Sequence, residues 1–338
     1  MKKKIIIVIF LCCIITILNG QENLLETSSR QDETTAMFLF PFGYDFVRLG
    51  EQNIHLPAVG IGYMSGEQNL AFEQVEHRVF ALALWRPVIF SEVPHPQVPK
   101  LLHNVEALID WRIHRHQLLF ILNSSTDKPI AGGLNTFQIG AGWGYEIVRS
   151  QKISLILGAA LAVGEYEVLG KTLPVLPVPL LRFGLNTQWL NLSFDFLTGP
   201  NLEFTIAPEK RIRFTADMRM DYYRSMVDVI CEFILWYRLF SPEHRLGDFA
   251  GVGIGFKNDS EGYLLSANTS TKNSAATFEM QKASIFVTLD LSLLRLEGGW
   301  IFGSRYLLDE KNIGSSGKGF YVSIQGIIPI GINEGVLR

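Results

Sequence analysis

The sequence predicts an all-β protein: a single closed antiparallel transmembrane β-barrel of about 12 strands, within a range of roughly 10 to 14. Three observations predict it. The chain opens with an export signal, and period-2 alternation of apolar and polar residues recurs along most of the chain after it. The composition is also apolar, at 48% hydrophobic and 12% aromatic with 30 glycines, yet no second apolar run is long enough for a helical span. The best later run, Ile153 to Val163, falls short of the roughly 18 residues such a span needs.

The opening "MKKKIIIVIFLCCIITILNGQ" has a basic start at Lys2, Lys3 and Lys4, then an uncharged apolar run from Ile5 to Leu18. That is a signal peptide over 1–20, with cleavage expected after Gly20. Residues 21–36, "QENLLETSSRQDETTA", form a polar periplasmic lead-in, and 37–338 form the barrel. The leader removes three of the 30 basic residues, leaving 27 against 33 acidic ones, a net charge of −6. No basic block remains, which excludes an electrostatic footprint for nucleic acid. Cys12 and Cys13 belong to the leader, so Cys231 stands alone and no internal disulfide is expected.

The elements come in order along the chain. "MFLFPFGYDF" (37–46) reads as a strand or a plug-like segment, and 57–65 and 78–90 read as two further strands. Over 100–111 the spacing of Leu101, Leu102, Val105, Leu108 and Ile109 predicts a short helix. From about 110 to 330 twelve strands are expected. The clearest are the hairpin 137–148 and 153–164 about the turn 149–152, then 189–197, 201–207, 211–222 and 226–240. After these come 247–257, 283–293, 295–306 and 318–330. Links alternate between short turns (149–152, 187–188, 208–210, 241–246 and near 294) and a second set containing long polar stretches (165–176, 258–282, 307–317). Short turns are periplasmic in bacterial barrels, which predicts a periplasmic C-terminus and an external 258–282 loop.

"RIRFTADMRMDYY" shows the two faces. Arg211, Arg213, Thr215, Asp217, Arg219 and Asp221 are expected to face the lumen, joined by Asp228 and Glu232 of the next strand and by Arg112, His114 and His116. Ile212, Phe214, Met218, Met220, Val229, Phe233 and Leu235 are expected to face lipid. Twelve residues at about 3.3 Å each, tilted by about 40°, cover about 30 Å, close to a hydrocarbon core. Tyr222-Tyr223 and Trp236-Tyr237 at strand ends suit an interfacial girdle. The alternative is a soluble exported sandwich that binds a small apolar ligand, since local alternation looks the same there.

The hairpin "FQIGAGWGYEIVRSQKISLILGAALAVG" and the run "LPVPLLRFGLNTQWLNLSFDFLTGPNLEFTIAPEKRIRFTADMRMDYYR" resemble bacterial outer-membrane β-barrel proteins, especially single-chain barrels of Bacteroidota and spirochaetes. The resemblance implies outer-membrane lipid and the barrel assembly machinery as partners. Such barrels usually end in an aromatic residue, whereas this chain ends "GINEGVLR".

Chemistry-bearing signals are sparse. The row Arg211 to Asp221 is either a charged pore lining or a set of cross-lumen ion pairs filling a narrow barrel. "DWRIHRHQ" places Asp110, Arg112, His114 and His116 on one parity, with Ser124 and Ser125 nearby, which raises an outer-membrane lipid hydrolase using His114 and His116 as an alternative. The spaced glycines of "GAGWG" and "GIGFKN" lie inside strands, not phosphate loops. The reading is a non-enzymatic outer-membrane barrel, a narrow channel or surface protein, with no cofactor and no metal.

Overall fold

In a computed structural model of the chain, the described residues are 35–66, 77–128, 136–150, 152–168, 171–196, 200–223, 226–240, 250–265, 276–291, 293–314 and 317–332. The expected signal peptide, nearly all of the lead-in and the chain end beyond 332 lie outside them. The strands are β1 (Thr35–Leu49), β2 (Gln52–Gly66), β3 (His77–Phe90), β4 (Leu101–Ile113), β5 (His116–Thr126), β6 (Gln138–Arg149), β7 (Ile153–Val168), β8 (Lys171–Asn186) and β9 (Leu190–Phe196). They continue as β10 (Pro200–Ile206), β11 (Ile212–Tyr223), β12 (Met226–Arg238), β13 (Gly251–Leu265), β14 (Ala276–Asp290), β15 (Leu294–Leu308), β16 (Lys311–Gly314) and β17 (Gly319–Ile332).

From β1 to β15 each strand pairs antiparallel with its neighbours in sequence, and β1 pairs with β17 from Ala36↔Ile332 to Leu49↔Gly319, which closes the sheet. β16 is a short return that pairs with β15 alone, while β15 also pairs with β17, so sixteen strands form the wall. The expected twelve is therefore too low. The stretch from 110 to 330 does hold twelve wall strands, β5 to β15 and β17. The shortfall lies before it, in β1 to β4. The helix expected over 100–111 is β4. Its inward row, Leu102, Asn104, Glu106, Leu108 and Asp110, mixes leucines with polar groups, and that mixture mimics a helical stripe.

The sequence explains several local choices. The β4–β5 turn is two residues, His114-Arg115, with His114 at φ 55°, a left-handed position that histidine tolerates better than branched residues. Asp309 and Glu310, at φ 49° and 65°, make the primed turn between β15 and β16. At Gly158 an added Cβ would stand 2.0 Å from the Trp143 carbonyl oxygen, so only glycine allows β6 and β7 to approach there.

β8 carries three prolines, which a central strand does not tolerate. Asn186 N–H donates to the Lys152 carbonyl and Thr187 N–H to the Leu190 carbonyl, so even residues of β8 bond towards β7 and odd ones towards β9. β9 pairs with β8 only from Leu181 to Asn186. Pro177 and Pro179 therefore sit where an N–H would point at an edge that no described strand covers.

Exterior and interior separate by parity. Outside, Ile212 (59% exposed), Leu235 (51%), Ile254 (61%) and Val287 (54%) belong to a broad apolar surface. Phe204, Phe214, Phe233, Phe256 and Phe302 succeed one another across it with ring centroids 6.0 to 6.4 Å apart. Trp111, Trp189 and Tyr237 lie exposed near the turns at the end of the wall that carries both described termini. A soluble sandwich has two inner apolar faces and an open edge. This chain has a closed wall with its apolar face outward and ion pairs within, and is an outer-membrane β-barrel.

Link lengths are less asymmetric than the sequence implies. β7 and β8 run to Val168 and Lys171, which leaves two residues where a long polar loop is expected. At the terminus-bearing end, the links between β2 and β3 and between β12 and β13 are long.

Candidate functional site: the barrel interior

The inner row of each strand supplies the interior, and charged groups there meet in clusters. On one wall Arg182 of β8 reaches Asp110 of β4 at 3.0 Å and also pairs with Asp195 of β9. Gln117 donates to the other Asp110 oxygen at 2.8 Å, and Arg112 lies 3.8 Å from it. On the opposite wall Glu297 accepts from Lys257 (2.6 Å), Tyr321 (2.5 Å) and Arg295 (2.7 Å), and Arg295 extends to Glu232 at 3.0 Å. Lys282 lies 3.3 Å from Glu261 and 3.6 Å from Asp259, and Arg86 pairs with Glu106. Each of these charges has an opposite partner, as a partly dehydrated interior requires.

Part of the interior is filled. Phe90, Phe278, Tyr263, Tyr306 and Met280 pack in a core at the end opposite the termini, with Phe90 and Phe278 centroids 6.1 Å apart. There Thr126 of β5 pairs in parallel with Leu264 of β13, which brings two distant strands of the wall into contact and pinches the barrel. Beneath the core lies a cavity of about 390 Å³ lined by Asp45, Arg86, Asn104, Glu261, Arg295 and Gln325. On β9 to β11 four inner-row residues, Ser193, Glu203, Asp217 and Arg219, are instead exposed to solvent.

The structure places the residues singled out from sequence on both faces and in the turns. Arg213, Thr215, Asp217 and Arg219 share the inner row of β11 with Glu232 opposite Asp217. Arg213 lies over the Trp236 ring at 5.5 Å, and Trp236 donates to the Thr215 hydroxyl at 2.9 Å. Trp236 is thus buried inside rather than part of a girdle. Tyr237 is the outward ring, and Arg211 sits over it at 4.9 Å beyond the strand end, not in the lumen. Ile212, Phe214, Met218, Met220, Val229, Phe233 and Leu235 lie on the outer row. Asp221 and Asp228 face each other in register, with side chains outside the described set, as are those of Tyr222 and Tyr223.

The histidine reading is corrected. His114 occupies the hairpin turn and His116 begins the next strand on its outer row, its ring 5.8 Å from Trp143 and its Nδ1 3.2 Å from the indole nitrogen. Reversal of the chain at 114–115 breaks the parity the sequence implied. Ser124 and Ser125 lie about 26 Å further along β5, at about 3.3 Å per residue, so histidine and serine do not converge. Among the described residues no group of three or more His, Cys, Asp or Glu side chains is placed to hold a metal. Sequence reasoning missed Arg182, Lys257, Lys282 and Arg295. The signal available was a lone charge in an otherwise apolar strand, as in "PLLRFGL".

No family model and no curated protein matches the chain. The solved structures to which it is similar include the following three. With Pseudomonas aeruginosa OpdQ the identity is 10% and the TM-score 0.36, covering 89% of this chain and 100% of that one. With OccK2 (OpdF) of the same organism the figures are 9%, 0.38, 89% and 98%. With Acinetobacter baumannii OccAB3 they are 8%, 0.34, 88% and 100%. The barrel architecture stands on this chain's own closed pairing and apolar exterior.

Proposed function

We propose that the protein is a narrow, non-enzymatic outer-membrane channel of mixed internal charge. One observation carries this: Ser193, Glu203, Asp217 and Arg219 are exposed although they point into a closed barrel, so water occupies the space beside β9, β10 and β11. The core around Phe278 and the pinch at Thr126 restrict the remainder, which makes the path narrow. Balanced pairs such as Arg182–Asp195 and Arg295–Glu232 leave selectivity to the exposed row. The resemblance to Bacteroidota and spirochaete barrels supports delivery by the 1–20 signal and insertion by the assembly machinery, with lipid against the outer row.

The test is single-channel recording in planar bilayers. The protein should give small, discrete conductance steps, and Asp217→Lys should shift the reversal potential towards anions. Protein that inserts in its folded, heat-sensitive form yet passes no current would overturn the channel reading.

A further inference from the structure

We infer that the barrel has a lateral notch between β8 and β11 through which an acyl chain passes from the bilayer onto an apolar patch of the inner wall. The wall is lowest here. β9 and β10 are 7 residues each, about 18 Å of height at about 3.3 Å per residue and about 40° of tilt, against an apolar band of about 25 Å. The strands beside them, β8 and β11, are 16 and 12 residues. Above Leu181 on β8, and above Arg219 on β11, no described strand bridges the two.

An open sheet edge in hydrocarbon is costly because its N–H and C=O groups find no partner. Pro177 and Pro179 stand at two positions that would otherwise aim N–H groups into the notch, so the edge lacks those donors by composition. The edge is therefore a built feature of the sequence. The wall behind it is also apolar on both faces, unlike the charged inner walls around Asp110 and Glu297. Inside, Leu176, Val178 and Leu180 line β8, and Leu180 lies flat over Gly142 and Gly144, where an added Cβ would meet it at 3.2 and 3.0 Å. Outside, a shallow depression is formed by Trp143, Leu161, Pro177 and Pro179 over small residues of β6 and β7. Apolar side chains therefore lie on both sides of the proline edge, in the outer groove and on the inner patch, and the edge between them carries backbone carbonyls but two fewer N–H donors. A flexible acyl chain is the chemistry that fits a narrow surface open to a bilayer. Its source is a membrane lipid, because the low wall opens onto the bilayer itself.

This inference does not depend on conduction, because a barrel that carries no current still takes the chain. The test places a benzophenone amino acid at Val178 on the inner face, at Leu161 on the outer face and at Gln325 on a distant inner wall. Each folded variant is irradiated in phospholipid vesicles, with and without a deuterated fatty acid, and its adducts are weighed. Acyl adducts are expected at Val178 and Leu161 and not at Gln325. A phospholipid adduct at Val178 supports the inference, and a deuterated fatty-acid adduct there with no phospholipid adduct would overturn it. If Val178 fails to fold, Leu176 serves as the inner probe. Adducts at Leu161 with none at the inner position would overturn the inference, as would equal labelling at Val178 and Gln325.

Discussion

At the scale of single residues, parity decides the environment, and neighbours then decide tolerance. Met218 and Thr215 lie on opposite faces of β11, Met218 opposite Cys231 and Thr215 opposite Ile234. Met218→Arg should destabilise the folded barrel by about 2–4 kcal/mol near mid-bilayer, measured by urea unfolding in lipid vesicles. An inward position is not automatically permissive, however. Thr215 accepts the Trp236 indole N–H, so Thr215→Val should cost about 1 kcal/mol in the same assay. Asp217→Asn, on an exposed part of the inner row, should stay within about 0.5 kcal/mol. Equal costs at 218 and 217 would mean that the two faces of β11 do not divide lipid from water.

At the scale of elements, the short side chains of β6 and β7 are structural requirements rather than ligand loops. Gly158 faces the Trp143 carbonyl at a distance no side chain fits. Gly158→Val should therefore separate β6 from β7 and abolish the compact form of the barrel. Gly303, where nothing lies within 4 Å of an added Cβ, should accept alanine without that loss. Electrophoresis of unboiled samples distinguishes the two. The elements within 137–164 and 189–240 were largely legible because alternation there is regular. β4 was not legible. Leu101, Leu102, Val105, Leu108 and Ile109 satisfy a 3.6 period, and only pairing with β3 and β5 selects period 2.

At the scale of the whole molecule, closure and filling are separate properties. Closure through β1 and β17 joins the wall all round, with unpaired ladder at the notch and between β12 and β13 beyond Cys231 and Asn258, so unboiled protein should migrate apart from boiled protein and fractionate with the outer membrane. Filling depends on the Phe278 core. Phe278→Ala should cost about 3–5 kcal/mol, since the ring is fully buried. In protein that still inserts, it should also raise single-channel conductance. An unchanged conductance would place the water path entirely beside β9 to β11.

The sequence by itself determined that this is a β chain of alternating faces. An N-terminal apolar run that reads as an export signal, together with period-2 alternation, favoured a transmembrane barrel, and the closed pairing with its apolar face outward set aside a soluble sandwich. The sequence also carried the polarity of β11, because alternating side chains must point to opposite sides of a sheet. Only the tertiary structure decided how many strands close the wall, since β1 and β4 look like other elements until they pair. Closure alone showed that Arg182 meets Asp110 and that Arg295 meets Glu232, contacts between strands far apart in sequence. It also decided that His114 turns and His116 points outward, because the two-residue hairpin reverses the parity that the sequence carries through it.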